Sequence, residues 1–207
     1  GLAPADKKLY ALRDVTGTVD SIPLIASSVM SKKLASGAQA ILLDVKVGSG
    51  AFMKTIEEAR ALAKAMVDIG RENGRSVKAV LTDMDQPLGH AIGNALEIRE
   101  VIDTLKGHGP EDLTHECIIM ASHMLVLSHI CDYETALTRV REALDSGAAL
   151  ERLRLMIDAQ GGNSSVIDDE NLLAIGQCTY DVIAPKAGYI THMNTEQCGI
   201  ASVMLGA

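Results

Sequence analysis

The hydrophobic pattern at the start of the chain changes from a helical period to a strand period. A helix is predicted over residues 20–37, because Pro23 suits a first turn and Gly37 can supply a left-handed stop. The next apolar run, residues 40–47, is short and nearly continuous, which is typical of a strand buried on both faces of a parallel sheet. The glycine turn at residues 48–50 follows directly, so a strand is expected to run into a tight loop.

The following segment repeats this order of helix and strand. Thr55 and Glu58 have the spacing of a capping box, and apolar residues then recur at helical intervals as far as Gly74. Residues 77–81 predict a second strand, and a strand, helix and strand in this rhythm indicate a parallel sheet. Residues 90–160 are helical in several pieces, so the predicted fold class is α/β, with a parallel-sheet core and many helices.

The pattern changes again over the last 30 residues or so of the sequence. Three short strand candidates, residues 179–183, 189–193 and 201–205, are separated by proline and glycine. This pattern predicts the start of a β-rich module.

Composition narrows the possible partners. The net charge is −8 with acids and bases interspersed, so there is no basic stripe to track nucleic acid. The sequence has no apolar stretch long enough for membrane insertion and no leader pattern. The four cysteines show no CxxC pair and no histidine spacing for zinc, so we expect reduced thiols in a cytoplasmic protein: Cys117, Cys131, Cys178 and Cys198.

The residues alone give only weak evidence for a binding or catalytic site. Ligands of parallel sheets gather beyond the carboxyl ends of strands, yet the glycine turn at 48–50 lacks the ending of a Walker loop. Phe52 at the end of this turn is either a core anchor or a pocket wall. Ser28 and Lys32 share one helix face, but from the residues alone a solvated lysine is the better explanation of that spacing.

A longer pattern resolves these alternatives. The sequence around Leu12-Arg13-Asp14-Val15-Thr16 resembles the signature region of the thymidine and pyrimidine nucleoside phosphorylases. The likeness covers nearly the whole chain and is nearest to the broad-specificity bacterial pyrimidine enzymes. The matching segments are residues 3–25, 27–33, 43–53, 83–97, 146–150 and 159–162.

The resemblance implies a division of the chain into three parts. Residues 1–36 are expected to be a segment of a small helical, pyrimidine-binding domain, and 37–175 a partial central α/β domain. Residues 176–207 are expected to begin a β-rich C-terminal domain. Family members are usually homodimers with the phosphate-binding loop upstream of the matching region, so we expect this sequence to be the central and partial C-terminal part of a longer protein.

The resemblance also assigns site residues. The arginine of the Leu-Arg-Asp-Val-Thr motif is Arg13, and the serine and lysine of the Ser-x-x-x-Lys-Lys stretch are Ser28 and Lys32. These three would hold the pyrimidine, with Arg13 and Lys32 as catalytic cations that stabilise charge on the departing base. The expected apolar lining of the base site is Val19, Ile25 and Phe52.

A structural monovalent cation, potassium, is also implied by the resemblance. Its expected ligands are oxygen atoms of Leu88, Ala91 and Glu100. No residue of the sequence suggests a further cofactor, and phosphate is expected as a co-substrate.

The expected activity is reversible phosphorolysis of uridine, thymidine or deoxyuridine to a free pyrimidine and (deoxy)ribose 1-phosphate. The isolated chain, without a phosphate loop, is expected to be inactive. Two alternatives stay open: a non-catalytic pyrimidine-binding or scaffold fragment, and a related phosphoribosyltransferase, for which no diphosphate loop can be placed.

Overall fold

The structure is a computed structural model that describes residues 3–174, 176 and 178–206. Among these residues it contains eight α-helices, two short 3-10 helices and two β-strands. In chain order they are α1 (Pro4–Thr16), α2 (Ile22–Ala35), β1 (Ala40–Val47), α3 (Ile56–Glu72), β2 (Ser76–Asp83), α4 (Asn94–Leu105), α5 (Glu111–Leu127), α6 (Tyr133–Asp145), α7 (Ala148–Ala159), 3-10 helices at Ser164–Ile167 and Glu170–Leu172, and α8 (Thr195–Met204). The α/β fold class predicted from the sequence is confirmed.

The two strands form a parallel pair, as the sequence predicts. Ala40 pairs with Ser76 and Val47 with Asp83, in register along all of both strands. Parallel strands cannot be joined by a tight hairpin, and α3 provides the crossover between them. The predicted capping box at the start of α3 is confirmed, since the Thr55 side chain accepts from the Glu58 N–H and the Glu58 side chain accepts from the Thr55 N–H.

The helix predicted over residues 20–37 is confirmed as α2. Pro23 lies in its first turn, and Gly37 has the left-handed φ of 81° that ends it. The hydroxyl of the N-cap residue Ser21 makes no capping hydrogen bond in the described structure. Proline in the first turn, which lacks an N–H, lowers the need for such a cap.

The chain divides into two compact units, which we describe separately. The first contains residues 1–85 and 120–136, and the second contains residues 86–119 and 137–207. Predicted boundaries at 36 and 175 follow the resemblance and stay a prediction, and residue 175 lies outside the described residues. No helix within the described residues has the length and apolar character needed to cross a membrane.

The core of the first unit lies between the sheet and two helices. Inward-facing aliphatic residues of β1 pack with residues of α2 and α3, and each fully buried large side chain contributes roughly 1.5 to 3 kcal/mol. The buried members are Ile25, Ala26, Met30, Ile41, Leu43, Val45, Met53, Ala59, Leu62, Ala63, Met66 and Val77. This packing fixes α2, and therefore the predicted site residues on it, against the strands.

The second unit is helical and has its own buried residues. Ile102 of α4 and Ile167 of the first 3-10 helix are both fully buried. Arg154 of α7 forms a bidentate ion pair with Asp168, with nitrogen–oxygen distances of 2.8 and 2.9 Å. The Arg99 guanidinium donates to the Glu170 carbonyl at 2.8 Å, so α4 and α7 are both tied to the 3-10 helices.

The strand prediction for the end of the chain is wrong in the described structure. Residues 179–183 and 189–193 have no regular secondary structure, and most of 201–205 lies in α8. A strand is stable only when a neighbour satisfies its N–H and C=O groups, and the described residues offer these segments no partner strand. The Asn194 side chain instead accepts from the Gln197 N–H and caps α8.

Substitution of Gly70 tests how tightly α3 packs on the sheet. A Cβ at this position would collide with Cγ2 of Val77 and lie 3.1 Å from Cε of Met30. We therefore expect Gly70→Ala to lower the free energy of unfolding by about 1 to 3 kcal/mol, despite the higher helix propensity of alanine. Urea unfolding of the protein measures this change.

Gly199 of α8 is the matched control. A Cβ there would meet no atom within 4 Å, so Gly199→Ala should leave stability unchanged or raise it by up to about 1 kcal/mol. Val77→Ala should partly relieve the Gly70→Ala variant, so that the double variant loses less than the sum of the single losses. Equal, small effects of Gly70→Ala and Gly199→Ala would contradict this packing.

Candidate functional site

Arg13 joins the end of α1 to the start of α2. It is only 7% exposed, and its guanidinium donates to the carbonyls of Thr18 at 3.4 Å, Leu24 at 3.4 Å and Val19. The guanidinium carbon, Cζ, also lies 5.2 Å from the ring centre of Tyr10. Within the described part of the chain, three of its five N–H groups are used in this way. Arg13 is therefore a structural clamp between the end of α1 and the start of α2.

Ser28 and Lys32 lie one turn apart on α2, as the sequence predicts. The Lys32 ammonium donates to the Ser28 hydroxyl oxygen at 3.0 Å and to Asp6 Oδ2 at 2.6 Å. Ser28 is buried, whereas the Lys32 side chain is 47% exposed. The lysine stem thus runs along the protein surface and its ammonium is held at two points, so it does not move freely in solvent.

Asp6 is a residue of this cluster that the sequence analysis missed. It lies on α1, and its side chain is only 13% exposed. The pKa of Asp6 lies below its ordinary value of 3.8, first because Lys32 donates a hydrogen bond to it and next because Ser28 does so. The charge of Arg13 acts in the same direction, so both predicted cations act on one carboxylate.

A signal for Asp6 was present in the sequence. Asp6 precedes Arg13 by seven residues, which is close to two helical turns, so both lie on the same face of α1. The structure brings Ser28 and Lys32 to this face. Three of the predicted site residues, Arg13, Ser28 and Lys32, are therefore gathered around Asp6.

The predicted apolar lining is only partly close to this cluster. Val19 is half-buried and offers its carbonyl to Arg13, and Ile25 is buried in the core at 8% exposure. Phe52 lies in the loop after β1 and is 57% exposed. Its interpretation as a core anchor is wrong, because the turn at 48–50 carries it outward and Met53 takes the buried position instead.

The glycine turn itself is fixed by the segment that follows β2. The Ser49 N–H donates to Asp85 Oδ1 at 2.7 Å, and the Gly50 N–H donates to the Met84 carbonyl at 3.0 Å. Gly48 has a φ of 132°, and a Cβ there would lie 2.7 Å from both the Asp85 nitrogen and Oδ1. Glycine is therefore required at this point, and the two carboxyl-end loops form one structure.

The predicted cation ligands lie in the second unit. Glu100 Oε1 accepts from the N–H groups of His90 at 2.8 Å and Ala91 at 3.0 Å, while Oε2 lies against Gly89. Across the described residues, no group of three or more His, Cys, Asp and Glu side chains forms a metal site. A cation at Leu88, Ala91 and Glu100 would therefore depend on carbonyl oxygens and one carboxylate, which is a donor set suited to a hard ion.

The Asp6 cluster predicts a specific titration. A carboxyl whose pKa is lowered by folding stabilises the folded state above its unfolded pKa, and this contribution is lost as the pH falls through the lowered value. We expect the Asp6 carboxyl carbon to titrate below 3.8 in an NMR experiment. In Lys32→Met the midpoint should rise toward that value, because the first cause of the shift is removed. An unchanged midpoint would contradict the ion pair.

Comparison with known proteins extends these observations. Residues 1–150 match the glycosyl transferase family, a/b domain. Two pyrimidine-nucleoside phosphorylases of Staphylococcus aureus, from strain bovine RF122 / ET3-1 and strain USA300, are each 58% identical over 207 residues, which is 100% of this chain and 48% of theirs. The chain thus spans about half the length of these relatives. Because the family match covers most of the sequence, the chain belongs to the glycosyl transferase family with this a/b domain.

Proposed function

We propose that the protein containing this chain is a pyrimidine-nucleoside phosphorylase. The reaction is the reversible phosphorolysis of uridine, thymidine or deoxyuridine, with a free base and (deoxy)ribose 1-phosphate as products. The observation that carries this proposal is the 58% identity over all 207 residues to relatives named for this activity. The matched region includes α1 and α2, where Arg13, Ser28 and Lys32 lie close together.

The cations of this cluster suit the chemistry of the departing base. A phosphate oxygen forms a bond to C1′ of the sugar while the bond from C1′ to the base nitrogen breaks, and its electron pair leaves with the base. Negative charge therefore develops on the base in the transition state. Arg13 and Lys32 can bind this charge more strongly than the neutral nucleoside, and such differential binding lowers the barrier.

The two cations are prepared for this role in different ways. Arg13 is buried and held by three backbone carbonyls, so its remaining N–H groups point in fixed directions. Lys32 is partly exposed and is held by Ser28 and Asp6. In this proposal Ser28, Val19, Ile25 and Phe52 contact the base, and residues outside this sequence bind phosphate.

Lys32 gives the cleaner test of the two cations. Arg13→Ala would also remove the clamp between α1 and α2, so lost activity could reflect lost structure. In the natural-length protein we expect Lys32→Ala to lower kcat/KM for uridine phosphorolysis by about 10² to 10³-fold, as for loss of one donor to a developing anion. Release of uracil, with and without phosphate, is followed by absorbance.

Lys33 provides a matched control on the same helix. It is adjacent to Lys32, and among the described residues its side chain makes no hydrogen bond with Asp6 or Ser28. Lys33→Ala should keep kcat/KM near that of the unchanged protein. Full activity of Lys32→Ala would contradict the assigned role, and uracil release that does not require phosphate would contradict the proposed reaction.

The proposal includes a structural potassium ion in the second unit. Carbonyl oxygens of Leu88 and Ala91 and the Glu100 carboxylate would hold it, and the ion would brace the loop before α4 against repulsion among these oxygens. Glu100 already accepts two N–H groups of this loop, which supports its place at the site.

Potassium should therefore raise thermal stability. We expect the melting temperature of the natural-length protein to be higher in potassium chloride than in tetramethylammonium chloride at equal ionic strength. Glu100→Gln should lose most of this difference. Glu97 is the matched control, since it accepts from the Gly93 N–H at 3.1 Å on the same helix, and Glu97→Gln should keep the response. A melting temperature independent of potassium would contradict the ion site.

We extend the proposal to a homodimer located in the cytoplasm. This part rests on the resemblance to the family alone. Light scattering of the natural-length protein measures its oligomeric state.

A further inference from the structure

The ion pair between Asp6 and Lys32 differs from an ordinary surface pair. It joins residues 26 positions apart on two different helices, with 2.6 Å between Lys32 Nζ and Asp6 Oδ2. Asp6 is largely covered, at 13% side-chain exposure, although its neighbours Lys7 and Lys8 are exposed. The carboxylate is therefore turned toward α2 and away from solvent.

Stability alone is a poor explanation for this pair. A partly exposed lysine and a carboxylate gain little from each other, because water screens the attraction and a flexible lysine stem must be ordered. The ordering is itself the larger effect. Asp6 and Ser28 together restrict the Lys32 ammonium to one position, which it would otherwise leave through rotation of its four-carbon stem.

The geometry leaves Lys32 able to bind a ligand. An ammonium group has three N–H donors, and Asp6 and Ser28 accept two of them. At 47% exposure, the Lys32 side chain can be reached by a ligand at the third donor. Asp6 thus directs the lysine and does not block it.

We propose that Asp6 is a positioning residue of the pyrimidine site, which acts by fixing the Lys32 ammonium so that its third N–H meets the departing base. This inference rests on the proposed function. A cation that is already in place requires no reorganisation when charge develops on the base, whereas a mobile one would have to be ordered during the reaction.

Kinetics of Asp6→Asn in the natural-length protein test the inference. Asparagine has nearly the same shape but no charge, so the hold on Lys32 weakens. We expect kcat for uridine phosphorolysis to fall by about tenfold with little change in KM, since displacement of a group by about 1 Å can cost up to 10²-fold. Asp6→Glu, which keeps the carboxylate, should recover part of this loss.

A control variant separates positioning from the general effect of breaking an ion pair. Lys64 and Asp68 form a pair of similar length, 2.5 Å, on the exposed surface of α3. Asp68→Asn should leave kcat and KM unchanged. Melting temperatures of the Asp6 and Asp68 variants within a few degrees of the unchanged protein show that both are folded.

Combination with Lys32→Ala gives the decisive result. If Asp6 acts through Lys32, then Asp6→Asn should have no further effect on kcat when Lys32 is already alanine. The same tenfold loss in both backgrounds would overturn the inference, and so would an Asp6→Asn variant with kcat within twofold of the unchanged protein. Failure of the unchanged protein to release uracil with phosphate would overturn the proposed function, and an impaired Lys32→Ala with a normal Asp6→Asn would overturn this inference alone.

Discussion

The parallel pairing of β1 with β2 is the constraint on which the first unit depends. Two parallel strands require a crossover, and α3 supplies it and packs on the sheet. The carboxyl ends of both strands then meet at one edge, where the glycine turn and Asp85 are joined through the Ser49 N–H. Because α2 packs on α3, the same arrangement holds the face that contains Ser28 and Lys32.

Arg13 connects this framework to α1. A lysine at this position would have to reach all three carbonyls from a single nitrogen, whereas the guanidinium reaches them from three separate nitrogens, Nε, Nη1 and Nη2. The clamp on Thr18, Val19 and Leu24 sets how α1 meets α2, and therefore whether Asp6 reaches Lys32. Arg13 thus positions α1 through three of its N–H groups, and in the proposed function its remaining N–H groups bind the base.

The sequence predicted the features that depend on neighbouring residues. Strand β1, the Thr55–Glu58 capping box and the helix ending at Gly37 are all determined by short-range patterns, and all are confirmed. The strands expected after residue 178 were wrong, because a strand forms only with a partner and local composition does not specify one.

The site could be predicted only in part for the same reason: local sequence does not specify contacts between residues that are distant along the chain. The resemblance identified Arg13, Ser28 and Lys32, and the structure gathers them. The resemblance did not identify Asp6. Its contact with Lys32 joins residues 26 positions apart, and the only sign of it in the sequence is the seven-residue spacing between Asp6 and Arg13. Of the two interpretations of Phe52, the core anchor is wrong for a related reason. A large apolar residue is usually buried, but the backbone direction of a glycine turn decides where the next side chains go, and here Met53 is buried.

A site of this kind must balance two requirements on its cations. Cations without partners would repel each other across the cluster, whereas cations fully neutralised by carboxylates would have little attraction left for a departing base. One shared carboxylate meets both requirements, because Asp6 lowers the repulsion between Arg13 and Lys32 while their combined charge still exceeds its own. In the proposed function, the remaining positive charge is available to an anion that forms only in the transition state, and this is the condition under which binding energy accelerates a reaction.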